Sequence, residues 1–261
     1  MLAQRIASAT IGVPVILLLI YSGGHAYVAA VAIALAVATL EFQHARRPWL
    51  DPVCLLSAAL VAGIAVGAHT GRHEWWAWIA AAALLAPLAA IARPTGEPPV
   101  EDALWTLGGV TYIGFLGGSL VLLRDFDDGR SWVYLTVLST FAVDTAAYFT
   151  GRAIGRHKLA PRISPNKTIE GLIGGCVVGC GAVIALAYAF HLGIAPAKIV
   201  PLALSLPLAA AAGDLAESAV KRAMDIKDAS ELIPGHGGVL DRLDSMLFTV
   251  ALVYMYTQWV V

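Results

Sequence analysis

Apolar runs of 17 to 22 residues recur along almost the whole of this chain, around residues 6–22, 25–41, 52–69, 75–92, 103–123, 131–149, 169–190, 198–216 and 244–260. Each is long enough, or nearly so, for an α-helix to cross about 30 Å of hydrocarbon. Breakers stand between them: "SGGH", "RRPWLDP", "RPTGEPPVED", "RDFDDGR", then a longer polar segment from Gly151 to Thr168. Composition agrees, with 59% of the 261 residues hydrophobic and 13% charged, against about 45–50% and about 25% in a soluble domain. No polar segment is long enough to bury a core of its own. The sequence therefore predicts an all-α integral membrane protein of about nine transmembrane helices. It forms one polytopic domain, 1–261, with spans about 6–123 as scaffold and about 131–261 as the catalytic half.

The formal net charge of −1 hides a segregation. With the N-terminus inside, alternate loops hold thirteen of the seventeen lysines and arginines, leaving Arg72, Arg124, Arg130 and Lys198 on the other face. That bias predicts a cytosolic N-terminus and puts both long polar segments on the cytosolic side. A bacterial inner membrane is the expected location, with the lipid bilayer as partner and no nucleic acid. The first run reads as a retained helix rather than a cleaved leader. Cys54, Cys176 and Cys180 lie in apolar surroundings without CxxC spacing, so packing is their expected role. Gly171, Gly175 and Gly179 form a ridge of small residues that suits close helix approach, either inside the molecule or in a homodimer. Internal packing is the expectation.

Charge concentrates in two places. From Gly213 to Ser245 the chain reads "GDLAESAVKRAMDIKDASELIPGHGGVLDRLDS". Asp214, Glu217, Ser218, Lys221, Arg222 and Asp225 step by three or four, which gathers them on one face of a helix continuing the eighth span. Gly235, Gly237 and Gly238 surround His236 in a loop whose amides suit phosphate oxygens, and Asp241 and Asp244 open the ninth span. Carboxylates such as Asp214 and Asp241 are the hard ligands that magnesium needs when it holds a polyphosphate. The second concentration is "DTAAYFTGRAIGRHKLAPRISPNKTIEG", from Asp144 to Gly171. Asp144 lies about 9 Å inside its span, and a buried intramembrane acid is a functional candidate by default. Arg152, Arg156, Lys158, Arg162 and Lys167 follow it. Ser164 and Pro165 read as the cap and first residue of the seventh helix, placing Asn166, Lys167 and Thr168 in an anion-binding first turn.

Ser218-Ala-Val-Lys221-Arg222, four residues, Lys227-Asp228, then Pro234-Gly-His236-Gly-Gly238, two residues, and Asp241-Arg242-Leu-Asp244 resembles the signature of the phosphatidate cytidylyltransferases, or CDP-diacylglycerol synthases, over 27 residues. Ser230 departs from it, standing where the bacterial members more often carry glycine. The resemblance implies transfer of CMP from CTP to phosphatidic acid, giving CDP-diacylglycerol and pyrophosphate, with one or two magnesium ions and a polar active site at the cytosolic membrane edge. It implies Asp214 and Asp241 as metal ligands, with Asp144 and Asp244 as second choices. Lys221 and Arg222 then hold phosphate, and Ser218 orients it. Asp228 and His236 join the catalytic group. The glycines form the nucleotide-phosphate loop, and Lys227, Arg242, Arg152, Lys158 and Lys167 face substrate. Two rivals remain. A CTP-dependent lipid kinase would release CDP, and a transporter using Asp144 would show no turnover in detergent.

Overall fold

The protein is described by a computed structural model over residues 2–93, 96, 98–233 and 237–260. Nine helices are present among the described residues: α1 (Leu2–Ser22), α2 (Gly24–His44), α3 (Pro52–Thr70), α4 (Arg72–Ala92), α5 (Pro99–Arg124), α6 (Gly129–Ile154), α7 (Ile169–Ala189), α8 (Pro196–Ala223) and α9 (Leu240–Val260). Each covers one of the nine apolar runs. The starts follow from local chemistry. Asp51 accepts the Val53 amide at 2.8 Å ahead of Pro52, and α5 and α8 also begin on proline, whose missing N–H costs nothing in a first turn. Among the described residues α2, α3, α4 from Glu74, α5, α7 and α8 are long and apolar enough to cross a membrane. Charge sets α6 and α9 apart, with Arg130, Asp144 and Arg152 in the first and Asp241, Arg242 and Asp244 in the second, while α1 contributes a shorter apolar stretch, Gly12–Ser22.

The chain divides into two compact units. The first holds the residues up to Asp125 together with Asp228–Arg242. Its helices α2 to α5 pack on one another around Leu35, Ile64, Ile113 and Leu123, all fully buried. Glycines let α5 come close: a side chain at Gly114 would strike Ile64, and one at Gly117 would strike Leu35. Arg47 at the end of α2 is buried against Asp102 of α5 and also donates to the Arg93 carbonyl at 2.9 Å. Two buried charges are tolerable only in such a pair.

The second unit holds Phe126–Lys227 and the chain from Leu243 onward. The glycine ridge of α7 lies against α6 here. A Cβ at Gly171 would stand 2.8 Å from the Ala147 carbonyl, and one at Gly175 would stand 3.1 Å from the Ala147 side chain and the Val143 carbonyl. The ridge thus serves internal packing, as expected. Trp132, Leu202, Leu206 and Leu247 form the core, and Thr140 donates to Thr249 at 2.9 Å between α6 and α9.

Two expectations need correction. The segment Ser164–Thr168 is not the start of a helix but a strand, β2, paired antiparallel with β1 (Lys158–Ala160) through Lys158 with Thr168 and Ala160 with Ser164. The all-α fold therefore carries one short hairpin. Pro165 is tolerated because a two-stranded sheet consists only of edges. The cap of α7 is Thr168, whose Oγ1 accepts the Gly171 amide at 3.1 Å, so Asn166 and Lys167 lie outside the first turn. Asp144 lies on α6, which runs on to Ile154, and its carboxylate lines a cavity. The polar stripe of α8 also ends earlier than expected, since the helix stops at Ala223 and Asp225 takes a left-handed conformation, φ 54°.

Candidate active site

Within the second unit, α6, the hairpin, α7 and α8 enclose a cavity of about 630 Å³. Asp144 of α6 and Asp214 of α8 supply its acids; Arg152 of α6 and Lys167 of β2 supply its bases. Ser164, Asn166 and Thr168 line it along β2. Seven residues singled out in the sequence thus meet in one place. The hairpin makes this possible, because a strand carries Lys167 to a position that the first turn of a helix would not give it. Val143, Leu159 and Leu172 add an apolar wall, and Gly151, Gly171 and Gly175 leave room where bulkier residues would fill the space.

Lys167 Nζ lies 2.6 Å from Asp214 Oδ1, with both side chains partly open to solvent. Ser218 Oγ, one turn along α8, donates to the same oxygen over a long 3.5 Å. Asp144 Oδ1 accepts from Ser245 Oγ at 3.4 Å, and Arg152 donates to the Tyr148 hydroxyl at 3.0 Å. Asp144 feels the charges of Asp244 and Asp214 as well as that of Lys167. Asp144 and Asp214 share one cavity, and carboxylates brought together in this way favour a bound cation. Among the described residues no three His, Cys, Asp or Glu form a closed metal cage. Magnesium does not need one, because it is held by one or two carboxylates with substrate phosphates and water.

Other nominated residues of this unit lie elsewhere. Lys221 Nζ pairs with the fully buried Glu217 at 2.9 Å. Arg222 donates to the carbonyls of Ile163 at 3.3 Å and Ile226 at 3.2 Å, which ties the hairpin turn to the end of α8. Asp244 Oδ1 accepts the Ser245 amide at 2.6 Å, and Lys158 and Lys227 are exposed.

The signature loop belongs to the first unit. Asp241 is buried, and its Oδ2 accepts the amides of Ala229 at 2.9 Å and Gly238 at 2.7 Å. Glu41, near the end of α2 and 1% exposed, accepts from Ser230 Oγ at 2.6 Å and from the amides of Val239 at 3.0 Å and Leu240 at 2.7 Å. Gly238 must be glycine for this, since a Cβ there would lie 2.7 Å from both Glu41 oxygens. Gly237 has φ 79°, in the left-handed region that glycine favours, and its carbonyl accepts the Ile233 amide at 2.8 Å. Four amides of this loop and helix start therefore already serve carboxylates of the chain. Asp228 and Arg242 are exposed, while Gly235 and His236 lie outside the described residues.

Sequence reasoning passed over Glu41 and Ser245, and it placed Glu217 on the polar stripe of the eighth span without giving it a role. A signal existed for the two glutamates, each an acid within or beside an apolar run, where an ionisable residue is costly and calls for a partner. Glu170 was also passed over. It accepts the amides of Arg156 at 3.0 Å and His157 at 3.2 Å and the His157 ring at 2.6 Å, which closes the corner between α6 and β1.

The chain is 44% identical over 158 residues to a phosphatidate cytidylyltransferase of Brucella suis biovar 1 (strain 1330), covering 58% of this chain and 56% of that protein. Phosphatidate cytidylyltransferases of Bacillus subtilis (strain 168) and Staphylococcus haemolyticus (strain JCSC1435) are 38% and 39% identical. The first match covers 55% of this chain and 54% of the relative, and the second 58% of each. The chain thus spans little more than half the length of the curated relatives it matches. The pattern that describes the cytidylyltransferase family extends much further, from residue 3 to residue 260, and by that match the chain belongs to the cytidylyltransferase family.

Proposed function

We propose that this chain transfers the CMP unit of CTP to phosphatidic acid, releasing pyrophosphate and CDP-diacylglycerol. The observation that carries this reading is the cavity, where Asp144, Asp214, Lys167 and Arg152 converge in a chain of the cytidylyltransferase family. The names of its relatives supply the lipid. All nine helices cross the membrane in this reading, with the N-terminus cytosolic and the cavity at the cytosolic edge of an inner membrane. The thirteen-to-four division of basic residues supports that orientation. One reactant is confined to the bilayer and the other to the cytosol, so a site at the boundary is where both can reach.

A phosphate monoester has a second pKa near 6, so much of it is a dianion at neutral pH. Its oxygen attacks the α-phosphorus of CTP, a new P–O bond forms, the bond to the β-phosphate breaks, and pyrophosphate leaves. No proton has to be removed first. The residues then act by alignment and charge stabilisation. Lys167 swings between Asp214 and a phosphate oxygen, Arg152 holds a second phosphate from the last turn of α6, and Ser164, Asn166 and Thr168 offer hydrogen bonds along β2. Asp144 and Asp214 fit magnesium, which when bound would neutralise phosphate charge as a Lewis acid. Asp241 shapes the signature loop, whose glycines the family resemblance assigns to the nucleotide phosphates.

Purified protein in detergent, given phosphatidic acid, CTP and magnesium, should release pyrophosphate in step with a CDP-lipid. A chelator should stop turnover, and added magnesium should restore it. CDP without pyrophosphate would replace this reading with a lipid kinase.

A further inference from the structure

Ser230 is one of the residues that engage the buried Glu41. The carboxylate stands at the start of α9, where it takes the amides of Val239 and Leu240 as a capping side chain would. The cap comes from a different helix, about 200 residues away in sequence. Its third donor is the Ser230 hydroxyl, which also accepts the Leu232 amide at 3.2 Å. Glu41 therefore touches both arms of the signature loop, one through Ser230 and the other through Val239 and Leu240. Gly238 is packed so closely on the carboxylate that no side chain fits between them. Asp241 ties the same two arms from the other side, through Ala229 and Gly238. A glycine at position 230 would leave one lone pair of a buried carboxylate without its donor, a cost concentrated on the geometry of the loop.

We propose that Glu41 is a positioning residue for the signature loop, that Ser230 is the side chain through which it grips the first arm, and that this grip sets the affinity for CTP. The last clause rests on the reading that the loop meets the nucleotide. Glu41 touches no substrate and acts only through the loop.

The test uses the full chain in detergent with three variants: Ser230→Gly, Glu41→Gln and the double substitution. Ser230→Gly should raise the KM for CTP by about tenfold, with kcat and the KM for phosphatidic acid within about twofold. Glu41→Gln should raise it at least as far. The double variant should be no worse than Glu41→Gln alone, because Ser230 acts through that carboxylate. Independent effects that multiply would overturn the proposal, as would an equal rise in both KM values. Hydrogen exchange adds a readout that needs no activity. The Val239 and Leu240 amides should lose protection in Glu41→Gln while those of α3 keep theirs. Retained protection at those amides overturns the grip itself. Absence of CTP turnover in the unsubstituted chain would instead count against the proposed reaction, and exchange would still decide whether Glu41 holds the loop.

Discussion

Lys167 and Asp214 are the pair to which the proposed reaction gives the largest part. Their 2.6 Å contact is partly open to solvent, so its contribution to stability is small, about 1 kcal/mol or less. In the proposed reaction its value is catalytic, since a lysine held beside a carboxylate of the cavity has only a short swing to reach phosphate. Lys167→Met should therefore lower kcat/KM by about 10²–10³ while leaving thermal unfolding within a few degrees. Initial rates and a melting curve on the same sample check both parts. Asp144, Lys167 and Asp214 were legible in the sequence because an acid in an apolar run, or a base after one, stands out against its surroundings. Glu41 was not, because its partners lie 189 to 199 residues away and no local pattern joins them. Asp241 was legible as an important acid, but its two amide donors emerge only with the loop.

The helices were legible in number and order, because each apolar run has a helix of its own. Their ends were not, since α6 runs on to Ile154 and α8 to Ala223 under polar sequence. Nor was the hairpin. Ser-Pro ahead of Asn-Lys-Thr has the composition of a helix start, and what decides otherwise is pairing with Lys158–Ala160 and the use of Thr168 as the cap. Thr168→Val keeps the shape and removes the acceptor, so it should cost about 1 kcal/mol. The seam between α6 and α7 is more demanding. Gly175→Val should destabilise by about 1–3 kcal/mol through overpacking against Ala147 and Val143. Gly181→Val on the same helix has open space beside it and should be neutral within about 0.5 kcal/mol. Thermal unfolding of the three variants in one detergent separates these outcomes.

For the molecule as a whole, hydropathy and basic residues are the basis of the proposed threading, but they do not reveal which segments pack together. Residues 228–242 cluster with the helices that precede Phe126 rather than with their neighbours in sequence. The carboxylate of Glu41 is the physical reason, since it brings the signature loop to α2. Threading can be tested with single cysteines in a chain whose three native cysteines are replaced by alanine. Lys158→Cys should react with an impermeant thiol reagent only from the cytosolic side, and Asp127→Cys only from the opposite side. Labelling of both from one side would contradict the topology. The cavity remains the central claim, and the rate of pyrophosphate release by Asp214→Asn, with CTP, phosphatidic acid and magnesium all saturating, tests it most directly. The expected result is a fall of about 10³ with the melting temperature unchanged; a folded Asp214→Asn protein working near the unsubstituted rate would mean that the reaction happens elsewhere.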